Sequence, residues 1–423
     1  MREFWVSVHR YAGLSMAVFL VVAGLTGSVL VFREELDALI NPELYRVSPP
    51  SPHAEPLDPL AIRRRLMDAD PRIQINWITL QPRHEHALNI RVQPRPGSPH
   101  PGFDELFVDP YTGRILGTRT WGRISDGVEN LIPFLYRLHY QLALDQVGRL
   151  LMGVIALIWT LDCFIGAYLT LPRRARRRRS PGRSSAGERL RDLWRRWQPA
   201  WRVRWRSSHF KLNFDLHRAG GLWIWAMLFV LAWSSVAFNL DSVYRPVMGL
   251  AFEFQDVRQD FRELEQPNTT PRLSYADARQ KALAYLDGTR QHLTDTPVRQ
   301  LDDTGMSYYP QYGLYHYRFR SDRDVDSDWG RTRMYIDGDS GEVVALYLPT
   351  GAAGGDTLTT WLLTLHMAGV WGLPFKIFVS VSGVLLVMLS VTGIIIWQRK
   401  RSARLRSGRR RNRTAHGTNP GGA

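Results

Sequence analysis

Apolar residues along this chain are bunched. Residues 11–32, 219–240 and 377–397 carry no charged side chain, and residues 150–171 carry one, Asp162. Each block is 21 or 22 residues long, close to the ~20 residues a helix needs to cross a bilayer core. Four membrane-spanning helices are predicted. The first block is too long for a signal-peptide core, and Arg33-Glu34-Glu35 follows it without a small-residue cleavage pattern, so it reads as a retained anchor. The long polar stretches between blocks one and two, and between three and four, carry mixed helix and strand patterns. In the first, LDPLAIRRRLMDA from Leu57 has helical periodicity, IQINWITLQP and HALNIRVQP alternate like strands, and DELFVDPYTGRILG reads as a hairpin. In the second, LSYADARQKALAYL reads as a helix capped by Ser274, followed by strands in YGLYHYRFRSD and TRMYIDGDSGEVVALYLP. Each stretch, about 100 residues, is long enough for a small core of its own.

Composition alone would mislead. Over 423 residues, 44% hydrophobic and 22% charged look like a soluble protein, and only the bunching excludes a single soluble fold. Charge then sets an orientation. The formal net charge is +16. Residues 172–211 hold 15 Lys/Arg against Glu188 and Asp192, and the tail from Arg399 holds nine and no acid. The two long stretches are acidic, with 12 Lys/Arg and 14 Asp/Glu over 33–136, and 13 and 19 over 241–358. Basic loops stay in the cytoplasm, so both termini and the 173–208 loop are expected inside and both long stretches outside. The basic runs fit anchors on anionic membrane lipids better than a nucleic-acid patch. The run from Arg173 and the tail are expected to be disordered. The lone Cys163 excludes a disulfide-stapled fold and covalently attached c-type haem.

The chain also repeats itself. VHRYAGL at His9 returns as LHRAGGL at His217, an offset of 208. VDPYTG at Asp109 returns as IDGDSG at Asp337, offset 228, and LH at His139 returns at His366, offset 227. Both halves read span, long external stretch, span, which implies a pseudo-two-fold axis along the membrane normal.

Four of the twelve histidines, His9, His139, His217 and His366, sit at or just before the spans and pair under this duplication. A two-fold axis brings equivalent residues face to face, as a six-coordinate haem with two axial imidazoles requires. The pattern predicts two b-type haems, an inner one on His9 and His217 and an outer one on His139 and His366. Arg10 and Arg218, which follow the inner histidines, and Arg137, Arg149 and Lys376 near the outer ones, suit haem propionates. Snorkelling helix-end charges are the plainer reading. Gly13, Gly24, Gly27, Gly220, Gly221, Gly383 and Gly393 would let helices or a porphyrin approach. Asp162 is an intramembrane acid, functional by default; the alternative is a protonated side chain bonded to a neighbouring helix. His84 and His86 lack a third ligand and read as surface residues. His139 and His366 each lie 33 positions before the inner boundary, about 50 Å of straight helix against a ~30 Å core. An interruption is therefore expected around Asp145–Arg149 and Gly372–Lys376.

With these motifs assembled, the chain resembles the PepSY-associated transmembrane proteins of bacterial inner membranes over roughly residues 1–400. VHRYAGL, VDPYTG, IDGDSG, LHRAGGLW and the LH pairs carry the likeness. The resemblance implies a helical membrane protein: a four-transmembrane-helix bundle from an internal duplication, with two periplasmic α+β PepSY-like domains at 34–130 and 241–356. The spans fall within 1–33, 131–172, 209–240 and 357–398, the second and fourth with periplasmic extensions, and the tail within 399–423. It also implies a haem-dependent ferric-siderophore reductase, turning chelated Fe(III) into Fe(II) for uptake. No acid, base or nucleophile beyond the haems is required. No G-x-G-x-x-G context for a nucleotide cofactor is present, so the electron donor would be a separate cytoplasmic reductase or quinol. The rival reading is a haem-free protein whose PepSY modules inhibit or sense a peptidase or assist siderophore transport.

Overall fold

The structure is a computed structural model. It describes the chain except residues 174–184, 289–292, 295, 296, 328 and 417–423, and describes backbone alone from 408 to 416. The chain opens with α1 (Arg2–Leu30), then α2 (Arg33–Ile40), α3 (Pro42–Tyr45) and α4 (Pro59–Ala69). The strands β1 (Ile73–Gln74), β2 (Trp77–Thr79), β3 (Leu88–Arg91), β4 (Gln93–Pro94), β5 (Glu105–Val108) and β6 (Ile115–Arg119) follow. Next come α5 (Leu131–Gln141), α6 (Asp145–Thr170), α7 (Ala186–Trp197), α8 (His209–Trp223), α9 (Trp225–Asn239), α10 (Asp241–Gly249) and α11 (Tyr275–Asp287). The chain closes with β7 (Gln300–Tyr309), β8 (Leu314–Ser321), β9 (Thr332–Asp337), β10 (Val343–Tyr347), α12 (Gly354–His366) and α13 (Gly372–His416). These elements form two compact units. One comprises Met1–Val29, Leu138–Asp241 and Phe378–Ala423, the other Leu30–Arg137 and Ser242–Ile377.

In the helical unit, α1, α6 and α13 are long and apolar enough to cross a membrane, and α8 with α9 makes a further span if counted together. This pair bends by 69°. The third block is therefore not the straight helix its hydropathy suggested: the ladder breaks at Ile224, whose φ and ψ of −113° and 16° leave the helical region. The unit packs around Met16, Leu20, Ile155, Trp159, Leu228, Ala232, Leu386 and Leu389. Small residues permit close approach, since a Cβ on Gly24 would come within 2.8 Å of the Gly383 carbonyl oxygen. One turn on, Ser28 and Ser380 exchange hydroxyl-to-carbonyl hydrogen bonds of 2.8 and 2.9 Å.

The expected interruptions before the second and fourth blocks are present. α5 and α6 are separated by a break in which Leu142, Ala143 and Asp145 take φ of 54°, 55° and 52°; between α12 and α13, Ala368 and Trp371 take 55° and 56°. Of the two basic segments expected to be disordered, the run from Arg173 lies almost wholly outside the described residues, and the tail is helical as far as His416. α7 is a helix with a Ser185–Glu188 capping box. Trp194 and Trp197 in its last turn cluster with Trp201, and the Trp197 indole donates to Thr170 Oγ1 at 3.1 Å. α13 runs on through the basic residues to His416. Lys and Arg are good helix formers, and positive charge suits a helix C-terminus. Residues 174–184 and 417–423 lie outside the described part.

The sheet unit replaces the two small cores expected from sequence with one. β7 to β10 form an antiparallel sheet in the order β10-β9-β8-β7, and β2, from the first long stretch, adds its edge to β7. Trp77, Ile78 and Thr79 pair with Ser307, Met306 and Gly305. A Cβ on Gly305 would strike the Trp77 ring and the Ile78 carbonyl, so the junction needs glycine. β3, β5 and β6 make a three-stranded antiparallel sheet. Leu60, Ile62 and Leu66 of α4, Leu106 and Val108 of β5, Ala278 and Ala282 of α11, and Met306, Tyr317, Phe319, Met334 and Ile336 of the larger sheet share one core. Beside it, Arg119 is buried between Asp37 (2.9 Å) and Glu105 (2.5 Å), and the Tyr45 hydroxyl donates to Asp37 at 2.7 Å. Burial and the adjoining carboxylate push the Tyr45 phenol far above its usual range.

Candidate functional site

Two of the four singled-out histidines meet in the helical unit. His9, on the first turns of α1, and His217, in α8, have ring centroids 6.1 Å apart at an interplanar angle of 58°. Two imidazoles on opposite faces of one metal, ligating at about 2.0–2.1 Å with ring centres roughly 1.1 Å behind the ligating nitrogens, have centroids about 6 Å apart. The separation therefore fits an axial pair.

Hydrogen bonding fixes which nitrogen each ring offers. His9 Nδ1 lies 2.9 and 3.0 Å from the two Asp162 carboxylate oxygens. His217 Nδ1 lies 3.0 Å from the Leu389 carbonyl oxygen and 3.1 Å from Thr392 Oγ1. The Thr392 hydroxyl can donate to the Met388 carbonyl at 2.7 Å, which leaves its oxygen to accept. Carboxylates and carbonyls only accept, so both Nδ1 atoms carry the proton, and Nε2 is the nitrogen each ring has for a metal. Glycine flanks both rings. Cβ atoms on Gly166 and Gly393 would sit 3.5 and 3.2 Å from Cε1 of His9 and His217. These glycines are themselves equivalent at an offset of 227. Gly393 drew notice in the sequence and Gly166 did not, although the offset names it.

His139, near the end of α5, repeats the arrangement against α1. Thr26 Oγ1 lies 3.0 Å from His139 Nδ1 and donates to the Val22 carbonyl at 2.6 Å, so the ring again donates from Nδ1. A Cβ on Gly27 would lie 2.9 Å from its Cε1. Thr26 has its duplicate at Ser234, offset 208, a legible signal that helix-end context alone does not bring out. His366 is the last residue of α12, in the sheet unit.

The arginines are differently placed. Arg218 donates to Asp215 (3.0 Å) and the Pro199 carbonyl (2.9 Å), and Arg204 also grips Asp215, at 2.6 Å. Arg10 stands over the Tyr11 ring at 5.9 Å. Arg149 donates to the Phe238 carbonyl at 3.1 Å, and Arg137 to the Gly122 carbonyl at 3.4 Å. Lys376 pairs with Glu35 at 2.7 Å. Each has a protein partner already. Among the described residues no three His, Cys, Asp or Glu side chains gather as a metal site. His86 Nδ1 lies 2.9 Å from the His84 carbonyl oxygen, and both are exposed.

The fold and this pair define a helical membrane protein with an α+β unit and a two-imidazole site between transmembrane helices. Residues 6–400 match the model of the PepSY-associated TM region, and the chain belongs to that family. No curated protein matches the chain.

Proposed function

We propose that this protein is a di-haem oxidoreductase of the bacterial inner membrane that carries electrons outward and reduces a ferric siderophore in the periplasm, releasing Fe(II) for uptake. The observation that carries the reading is the His9–His217 pair: ring centroids 6.1 Å apart, both with Nδ1 tied to acceptors. His9 and His217 would hold the inner haem, and, by the duplication, His139 and His366 the outer one. Bound haem iron supplies one-electron chemistry, alternating between Fe(III) and Fe(II). The chain's own part is to orient the imidazoles. Asp162 and the Leu389 carbonyl keep the ring protons on Nδ1, and Gly166 and Gly393 leave room at the ring edges. The charge asymmetry supports an orientation with both termini and the 173–208 segment in the cytoplasm and the two long stretches outside. The sheet unit would then meet the chelate, and a cytoplasmic reductase or quinol would be the donor.

An absorption spectrum of detergent-purified protein from haem-replete cells tests this. A Soret band with sharp α and β bands on dithionite reduction is expected, and a colourless protein rejects the haems. Anaerobically reduced protein should be reoxidised by ferric siderophore. Protein that stays reduced rejects the substrate while leaving the haems in place.

A further inference from the structure

The duplication fails at one position beside the inner histidines. The offset of 227 that pairs Gly166 with Gly393 also pairs Asp162 with Leu389 and Ile165 with Thr392. His217 therefore rests its Nδ1 on neutral acceptors, a backbone carbonyl and a hydroxyl. His9 rests its Nδ1 on a carboxylate that is only 5% exposed. His139 also rests its Nδ1 on a neutral group, the Thr26 hydroxyl. A carboxylate buried among apolar helices is costly. Helix packing does not call for it, because leucine fills the equivalent place in the other half. It stands where its charge acts on one ring.

Resting on the haem reading above, we infer that Asp162 is a positioning residue that sets the potential of the inner haem. It holds His9 in the Nδ1–H tautomer and draws on that proton, which makes its Nε2 a stronger donor than that of His217, whose Nδ1–H meets only a carbonyl and a hydroxyl. Ferric haem carries one more positive charge than ferrous haem. A fixed negative charge behind one axial ligand therefore favours the ferric form and lowers the midpoint potential. The couple is a one-electron couple, and no bond or proton changes hands in it.

The experiment is a spectroelectrochemical titration of the full-length, haem-loaded protein at one pH, with haem counted per chain. Asp162→Asn should keep both haems, raise one midpoint potential and leave the other where it is. Asp162→Glu, which restores the charge, should bring the raised potential back toward that of the unmodified protein. Two unmoved potentials in Asp162→Asn at full haem content overturn the assignment. Loss of the inner haem in that variant overturns it too, because the carboxylate would then build the site rather than tune it. A chain that takes up no haem even unmodified defeats the haem reading itself, a result distinct from either.

Discussion

The helical unit and the sheet unit inherit the same duplication and use it in opposite ways. In the helical unit the copies stay recognisable side by side: His9 against Gly166, His217 against Gly393, with both rings donating from Nδ1. In the sheet unit the copies merge. The first stretch gives up β2 to the sheet of the second, and residues from both fill a single core. The polar groups differ as well. In the sheet unit Arg119, Asp37, Glu105 and Tyr45 satisfy one another, as buried charge must. In the helical unit each paired imidazole has one nitrogen committed and the other to spare. The duplication stays visible around the paired imidazoles, and it gives way where the two long stretches share one core.

The sharpest way to break this comparison is to remove one copy of the pair. His217→Ala should lose about one haem per chain and retain the other, read as pyridine haemochrome against protein. Retention of both would separate the two imidazoles from haem. The next effect falls on the sheet unit. Arg119→Leu leaves Asp37 and Glu105 buried without their cation, and should cost about 3–5 kcal/mol of stability, measured as a lower denaturation midpoint. An unchanged midpoint would show that the buried cluster is not a unit.

His316 sharpens the contrast between the two kinds of buried histidine. It stacks between Tyr309 and Tyr335 at 5.7 and 5.1 Å, and Ser307 lies 3.2 Å from its Nδ1. Burial, then the nearby Arg333 and Arg318, push its pKa down to about 3. An unfolded histidine titrates near 6.5, so between about 6.5 and 3 the unfolded chain binds the extra proton. Stability from this group is full above that window and falls as pH drops through it, by up to about 1.4 kcal/mol per pH unit. His316→Phe should flatten the acid limb of a thermal-stability profile, and an unaltered limb would remove His316 as its source. The smallest difference is between the ring-edge glycines. An added methyl meets His217 at 3.2 Å but His9 at 3.5 Å. Gly393→Ala should therefore lower haem content more than Gly166→Ala, and the reverse order would contradict the packing.

Much of the helical unit was legible along the chain. Hydropathy marks where α1, α6 and α13 run, and the repeat offsets mark the histidines, because both are one-dimensional signals. The breaks ahead of α6 and α13 were also readable, since helix rise exceeds bilayer thickness. The bend at Ile224 was not, because no proline or glycine stands at that residue. The basic tail reads as disordered by charge alone, yet α13 carries its helix through it to His416.

The sequence by itself determined which segments are long and apolar enough to span, which residues are duplicated, and that four histidines fall at matched positions. These follow from residue type and spacing. Only the tertiary structure decided that Asp162 meets His9 across 153 residues, that the His9 and His217 ring centroids lie 6.1 Å apart, and that β2 joins β7. Those depend on which helices pack together and in what register, and contacts between distant segments leave no periodicity along the chain.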